Sequence, residues 1–516
     1  MRADVPDSPP PRSSSFQSVL DAFLAQPGLP FAHVLSAERI AQVFAKHKAL
    51  YGEHGIYNTA MMVWSFLGQV LRDGKEASCQ AAVAQIVSFR LVLGEEPPTA
   101  DTGDYCRARA KLSEAALHEL TCEVGNEMES AGPNSWLWKG LHAKLVDGFT
   151  FTMPDTVRNQ ITYPQSTSQD PGLGQPIARA VAILSLATAA VMDVAIGPYT
   201  GKQTGETALL RTMMDSFSAG DIAVFDRYYC SFMMIALLLN RNVHVCARMH
   251  QGRHTDFRRG RRLGRYDHVV VWNRPQRSTW MDEATYQLIP ETLELREIRY
   301  HIVEKGRRTK KITVVTTLTD AVAYSKEDIA DLYGFRWNSE LDIRNIKRTL
   351  NLDHVRCKSP EMVRREVWAT LLAYNLIRAT TAGAAMLHDK QPRQISFTST
   401  CQYVIASWTP MSCGTMTPMK IMEHCLRLFE QIASCEVANR PGRLEPRVLK
   451  RRTQTYPLMK KQDPYSRQNC ENTAPEYTYV STVLFARSHL WPWFQIDPTI
   501  HARSGVLPTK LKSRGR

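Results

Sequence analysis

The sequence predicts an α/β protein built on a mixed central sheet, with helical regions before and after it. Three observations carry this expectation. Short apolar runs, Leu145 to Thr152, Asp221 to Phe225 and Val243 to Ala247, read as strands, and helical patterns separate them. Two further runs, Ala180 to Leu186 and Val191 to Ile196, are close enough to form a hairpin. A stretch rich in Val, Ile, Thr and Tyr follows, broken by Pro275, Pro290 and Gly306, and reads as a β insertion rather than a separate globular domain.

Residues 1–17 hold the Pro- and Ser-rich start, expected to be a disordered tail with no apolar segment that would make a secretory signal. Residues 18–138 are expected to form a helical N-terminal domain, interrupted at Pro97, Pro98 and Gly103. The α/β core is expected in two parts, 139–250 and 321–385, on either side of the β-rich insertion at 251–320. In the first part, Glu206 to Phe217 reads as an amphipathic helix with Gly220 beyond it, and Phe232 to Leu239 as a buried helix. The second part opens with one long helix from about Lys326 to Thr349, and another runs from Pro360 to Ala384. A helical and basic region, 386–461, precedes a tail at 462–516 with little periodicity.

The 516 residues carry a formal charge of +14, which favours a polyanionic partner, nucleic acid above all. The charge is clustered. Arg253, Arg258, Arg259, Arg261, Arg262 and Arg265 form one group, Arg307, Arg308, Lys310 and Lys311 a second, and Arg440 to Arg452 a third. Any one cluster is readily explained as solvated surface; three in one chain point to phosphate contact. Arg107, Arg109 and Lys111 in the helical region are further candidates. No uncharged apolar run is long enough for a transmembrane helix. The 11 cysteines include no C-x-x-C pair, so neither a disulfide framework nor a zinc knuckle is expected, and a reducing cytoplasm fits.

Asp147 falls within one predicted strand and Asp226 at the C-terminal end of another. An ionised carboxylate in a sheet is costly unless it is exposed, paired or metal-bound. The strand end is also where an open α/β sheet places its ligands. Each aspartate alone reads more simply as a turn, capping or solvated residue. Together, ahead of a third acidic residue on a helix, they describe a divalent-metal site suited to Mg²⁺ or Mn²⁺. That third residue is Glu340. Tyr333, Arg336, Glu340 and Lys347 follow one another at offsets of three, four and seven, which puts all four on one face of a continuous helix. A salt-bridged surface helix accounts for Arg336 and Glu340 only; a DNA-facing helix accounts for all four, with Arg336 and Lys347 on phosphates.

The spacing Y-(2)-R-(3)-E-(6)-K resembles the signature of the insertion sequence 4 family of bacterial DDE transposases. Val146-Asp147-Gly148 through Met153-Pro154-Asp155-Thr156 resembles the family's first-aspartate block, and Gly220-Asp221 through Asp226-Arg227-Tyr228 its second. The stretch from Tyr333 past Arg356 and Pro360 to Arg378 resembles the third. The resemblance runs from about Gln69 to Lys460. It implies an RNase-H-like (ribonuclease H-like) catalytic core with a β-strand-rich insertion, and a catalytic, metal-holding triad of Asp147, Asp226 and Glu340. It also implies about two Mg²⁺ or Mn²⁺ ions and a cut-and-paste DNA transposase that acts on terminal inverted repeats and target DNA. A homodimer in the DNA complex, DNA-end binding by the N-terminal helices and a cytoplasmic, nucleoid-associated enzyme follow from the same resemblance. Tyr333, Arg336, Lys347, Arg258, Arg259, Arg261 and Arg262 are the DNA-binding candidates.

If a DNA hairpin forms, a displaced base needs a platform, for which Trp272 and Trp280 are candidates, with core packing the competing role for Trp272. Phe149 departs from the family pattern, which has a small hydroxyl residue there. The tail beyond 461 departs from it too, and is read as a frameshifted or read-through end. Two alternatives stay open: an RNase-H-like endonuclease without strand transfer, and a defective or repurposed transposase that only binds DNA.

Overall fold

The helices ahead of the sheet begin on short polar side chains that satisfy backbone N–H groups the helix itself leaves unpaired. Ser36, Asn58, Ser78 and Ser113 each accept from the N–H three residues on, at 2.9–3.3 Å. They start α1 (Ala37–Lys46), α2 (Thr59–Val70), α3 (Cys79–Val92) and α5 (Glu114–Ala131), with α4 (Gly103–Arg109) between the last two. The computed structural model describes residues 34–52, 55–170, 172–302, 310–412 and 417–437. The tail at 1–17, Arg307 and Arg308, the third basic cluster and the segment 462–516 lie outside the described residues.

The sheet has nine strands in the order β3-β2-β1-β4-β5-β9-β8-β7-β6. β1 (Ala143–Thr152) runs antiparallel to β2 (Ile177–Ser185), and β2 antiparallel to β3 (Val191–Pro198), which is the expected hairpin. On its other side β1 is parallel to β4 (Ile222–Phe225), and β4 to β5 (His244–Arg248). All four residues of β4 are buried, as a central parallel strand covered on both faces requires. Parallel neighbours need a crossover, and α8 (Phe232–Leu239) supplies it between β4 and β5. α6 (Val157–Thr162) follows β1, and α7 (Glu206–Arg211) follows β3.

The β-rich stretch comprises β6 (Arg261–Gly264), β7 (Asp267–Asn273), β8 (Thr292–Ile302) and β9 (Lys310–Thr316), with α9 (Glu283–Leu288) between β7 and β8. β9 pairs antiparallel with β5, Cys246 opposite Thr316, so the stretch continues the central sheet. A fully buried ion pair ties it together: Arg296 donates to both carboxylate oxygens of Asp267, at 2.8 and 2.6 Å. Fork-to-carboxylate geometry of this kind compensates the desolvation of both charges.

Beyond the sheet the sequence pattern predicts one helix from 326 to 349. The structure divides it into α10 (Lys326–Phe335), α11 (Trp337–Arg344) and a π-helical turn, Asn345–Thr349. At the junction the Arg336 N–H bonds the Tyr333 carbonyl at 3.2 Å, and the Ser339 hydroxyl reaches back to the Arg336 carbonyl at 2.8 Å. A serine hydroxyl this close to a carbonyl of its own helix competes with the regular backbone ladder. α12 (Pro360–Leu387) is capped by Ser359 with Pro360 at its first position, where a missing N–H costs nothing. Its 28 residues are about 42 Å long and buried along most of that length. Asn375, near its middle, bonds Val191 N–H and the Val191 and Thr121 carbonyls, joining α12 to β3 and α5. α13 (Phe397–Ser412) and α14 (Pro418–Ser434) complete the described chain.

One continuous core runs from Leu35 in front of α1 through the sheet to Val404 in α13. Of the candidate cations in the helical region, Arg109 is not available to a partner. It donates to Gln69 Oε1 at 2.6 Å and lies over the Phe66 and Tyr105 rings, while Arg107 and Lys111 stay exposed. Every described cysteine is a free thiol. No described helix is long and apolar enough to cross a membrane.

Candidate active site

β1 and β4 are neighbours in parallel register, and Asp147 and Asp226 directly follow the last paired residues, Val146 and Phe225. Glu340 comes from α11, which packs against β1. Two residues of the same helical segment hydrogen-bond the three carboxylates. Arg336 reaches Asp147 Oδ2 at 3.4 Å with one guanidinium nitrogen and Glu340 Oε1 at 2.8 Å with the other. The Tyr333 hydroxyl donates to Asp226 Oδ1 at 3.3 Å. Tyr333, Arg336 and Glu340 therefore converge as the offsets predict, with Arg336 bridging carboxylates rather than free for a phosphate.

The electrostatics follow from burial. Burial pushes the Asp147 carboxyl up from its usual range; the Ser339 hydrogen bond and the Arg336 charge oppose that rise without cancelling it, and nearby Glu340 adds to it. Burial alone would lower the Arg336 guanidinium, but its hydrogen bond to Glu340 and the neighbouring negative charges raise it. The Tyr333 phenol is pushed well up by burial and by Asp226, so it is a neutral donor. The site thus holds acidic oxygen donors whose repulsion one internal cation partly relieves.

A family model described as a transposase DDE domain matches residues 139–376, the span that contains all three carboxylates. The transposase InsG of insertion sequence element IS4, from Escherichia coli strain K12, is 27% identical over 412 residues, covering 78% of this chain and 87% of that protein. Both matches support a DDE transposase of the insertion sequence 4 family. The Escherichia coli transposase for insertion sequence element IS421 is 44% identical over a short stretch, 10% of this chain and 15% of its own. The solved structure of a piggyBac transposase synaptic complex with hairpin DNA aligns over 82% of this chain and 86% of that one. Its TM-score of 0.38 and 10% identity make the likeness too loose to match residues. Enzymes of the DDE transposase family are nucleases and transferases that generally use divalent metal ions.

The remaining sequence candidates divide. Lys347 of the transposase lies in the π-helical turn, where Nζ pairs with Asp353 at 2.8 Å. The wider turn breaks the regular helical face on which Lys347 was expected, about 10.5 Å beyond Glu340. Arg258, Arg259, Arg261 and Arg262 are exposed. The first two pair with Asp256 and the third with Glu294, surface contacts worth little in water. Arg261 and Arg262 lie on β6, an edge strand of the sheet, where charge also discourages edge-to-edge pairing.

Trp272 is only 6% exposed, donates its indole N–H to Glu297 at 3.0 Å and is covered by Arg253. It is a core residue, not a free stacking platform. Trp280 instead lines a cavity of about 370 Å³ with Tyr228, Ser231, His250 and Arg253, and Arg211 stacks on its ring at 3.8 Å. Tyr228 is two residues beyond Asp226 and 58% exposed, an aromatic group with no role expected from the sequence alone. Trp337, beside Arg336 and equally exposed, was also missed.

Phe149 faces the same side of β1 as Asp147 and is buried against Phe151. Gly148, between them, is held close to the Glu206 carboxylate: a Cβ there would come within 2.4 Å of it. A separate cluster, His118, Cys122 and Asp193, places three possible ligand atoms within 4.8 Å of one another, two strands away from β1. His118, Ser216 and the Val194 N–H already hydrogen-bond its carboxylate, so the cluster is satisfied as a protein network.

Proposed function

We propose that this transposase cuts DNA at the ends of an insertion element and joins the released 3′-OH to target DNA, with Asp147, Asp226 and Glu340 holding divalent metal. The observation that carries this reading is the convergence of the three carboxylates, from two adjoining strand positions and a facing helix, on Arg336 and Tyr333. The sheet supports an RNase-H-like core: β1 to β3 antiparallel, then β4 and β5 parallel to β1, in the order 3-2-1-4-5.

The residues fit the ions. All three donors are hard oxygens, and the guanidinium paired with Asp147 and Glu340 is consistent with a site that takes positive charge. When bound, Mg²⁺ or Mn²⁺ supplies an activated oxygen nucleophile and stabilises the leaving 3′ oxygen of an in-line displacement. The chain's own part is to hold the carboxylates and align the DNA. Tyr333 holds the Asp226 oxygen, and Arg336, held between Asp147 and Glu340, meets a phosphate only by releasing one of them. Lys347 meets a phosphate only by giving up Asp353. Trp280 and Tyr228, in the cavity past Asp226, offer stacking surface to a base displaced from the duplex. Double-stranded DNA is the partner, with two copies of the chain in the complex, and the enzyme acts in the cytoplasm.

The test is an end duplex incubated with Mg²⁺, followed by a joining assay on ends already cut. Cleavage and joining are both expected. Cleavage without joining would make the chain a nuclease, and binding without either would make it a DNA-binding protein only.

Arg336→Lys is expected to slow cleavage at least about tenfold. Lysine presents a single ammonium and cannot span Asp147 and Glu340 as the fork does. The lost charge-assisted hydrogen bond is worth ~1.5 kcal/mol or more, about one decade in rate. Cleavage rates across a Mg²⁺ titration check this; parent-like rates would mean that the arginine makes only an exchangeable pair with Glu340.

Replacing Arg258, Arg259, Arg261 and Arg262 with alanine is expected to weaken DNA binding and flatten its salt dependence. Each lost phosphate contact lowers the log–log slope by about 0.9. An unchanged slope in binding isotherms across a salt series would assign the cluster to edge protection of β6.

A further inference from the structure

Ser339 immediately precedes Glu340, is fully buried, and its hydroxyl lies 2.8 Å from Asp147 Oδ2. A serine inside a helix is a weak helix former, and this one faces the sheet rather than solvent. Asp147 Oδ1 already accepts the N–H of Gly148 at 2.9 Å. With Ser339 on the other oxygen, the carboxylate is pinned at both ends and its plane is set before any ion or DNA arrives. The hydroxyl has one proton and two acceptors within 2.8 Å, Asp147 Oδ2 and the Arg336 carbonyl. The charged carboxylate is the stronger acceptor. Phe149, two residues along the same face of β1, has no polar atom to offer. Arg336, the other side-chain group on that oxygen, lies farther off at 3.4 Å and divides its fork with Glu340.

We propose that Ser339 is a positioning residue that orients the Asp147 carboxylate for metal and couples the glutamate helix to β1, so that two of the three metal-holding groups are set by one hydroxyl. The inference rests on the reading of Asp147 as a metal ligand. Groups that hydrogen-bond a ligating carboxylate fix its orientation, and their loss typically costs 10–100-fold in metal affinity or activity. Without the hydroxyl, Asp147 keeps its charge but gains rotational freedom about its terminal bond.

The experiment measures Mn²⁺ binding to the full-length protein by calorimetry and by the electron paramagnetic resonance of free Mn²⁺, alongside cleavage. Ser339→Ala is expected to weaken Mn²⁺ binding about tenfold or more, with DNA binding retained. Ser339→Thr, which keeps the hydroxyl, is expected to recover most of that loss. Ser339→Gly, which removes the hydroxyl without adding bulk, is expected to behave like alanine if threonine does not fit. Circular dichroism and DNA binding establish that each variant is folded. Parent-like Mn²⁺ affinity in folded Ser339→Ala or Ser339→Gly would overturn the proposal, leaving Ser339 with a role only within its own helix. Asp147→Ala separates the two readings. If it abolishes Mn²⁺ binding while Ser339→Ala does not weaken it, only the positioning role fails. If Asp147→Ala leaves Mn²⁺ binding intact, the metal-ligand reading fails and this inference with it.

Discussion

Alanine in place of Asp147, Asp226 or Glu340 is expected to cut end cleavage by a factor of ~10³ or more while leaving DNA binding nearly unchanged. Metal stabilisation of the developing charge is worth several kcal/mol, and each 1.36 kcal/mol is about a decade in rate. Binding survives because phosphate contact comes from cations, and the three carboxylates repel DNA if they do anything to it. The Asp147 variant should also show the largest structural side effect. Its carboxylate is the more enclosed of the two paired with Arg336, and removal leaves one Arg336 nitrogen without its acceptor and Ser339 with only the Arg336 carbonyl. Nicking of an end duplex in Mg²⁺, read beside a gel-shift of the same duplex, checks the expectation. Retained Mg²⁺-dependent nicking in any one variant would remove that residue from the triad, and parallel loss of binding would point to misfolding instead.

Asp342→Ala is expected to destabilise the protein by ~3–5 kcal/mol, the usual cost of stranding buried charge. Asp342 lies on α11 two residues after Glu340 and is 1% exposed. Arg378 of α12 donates to one of its oxygens at 2.9 Å and Arg393 to the other at 2.8 Å. Arg393 also holds the Ser185 and Leu186 carbonyls at the end of β2. The single carboxylate thus fixes the glutamate helix to α12 and to the hairpin, and alanine leaves two guanidinium groups facing each other. Asp342→Asn keeps the shape and should cost less, because one of the two charge-assisted bonds can be replaced by a neutral one. Arg378→Met, which removes one cation and fills its volume, should partly rescue Asp342→Ala. A thermal-unfolding midpoint for Asp342→Ala close to the parent's would show that α11 is held by apolar packing alone.

Much of the fold was legible because its signals are local. The strands around Asp147 and Asp226 are largely apolar runs, and the long C-terminal helix starts on Ser359-Pro360. Both need only neighbours in sequence. The break at Arg336 was not legible, because the offsets of Tyr333, Arg336 and Glu340 are the same in a straight helix and in a bent one. The Ser339 hydroxyl beside the break lies within hydrogen-bond reach of the Arg336 carbonyl and of Asp147, which is 192 residues away. Arg109 shows the same limit from the other side. A cation in a basic helical stretch reads as surface, and only the packing of Phe66, Gln69 and Tyr105 around it removes it from solvent.

The sequence by itself determined the alternation of elements, the resemblance to a family, and which acidic and basic side chains could meet. Those depend on residue type and spacing, which survive any arrangement of the chain in space. Tertiary structure alone decided what each charged group does in the folded protein. It turned Arg336 inward between two carboxylates, paired Lys347 with Asp353, buried Trp272 and left Trp280 lining a cavity, and pinned Asp147 with Ser339. The reason is physical: a charge or a ring is satisfied by whatever partner lies within hydrogen-bond or van der Waals reach, and reach is set by packing between elements far apart in the chain.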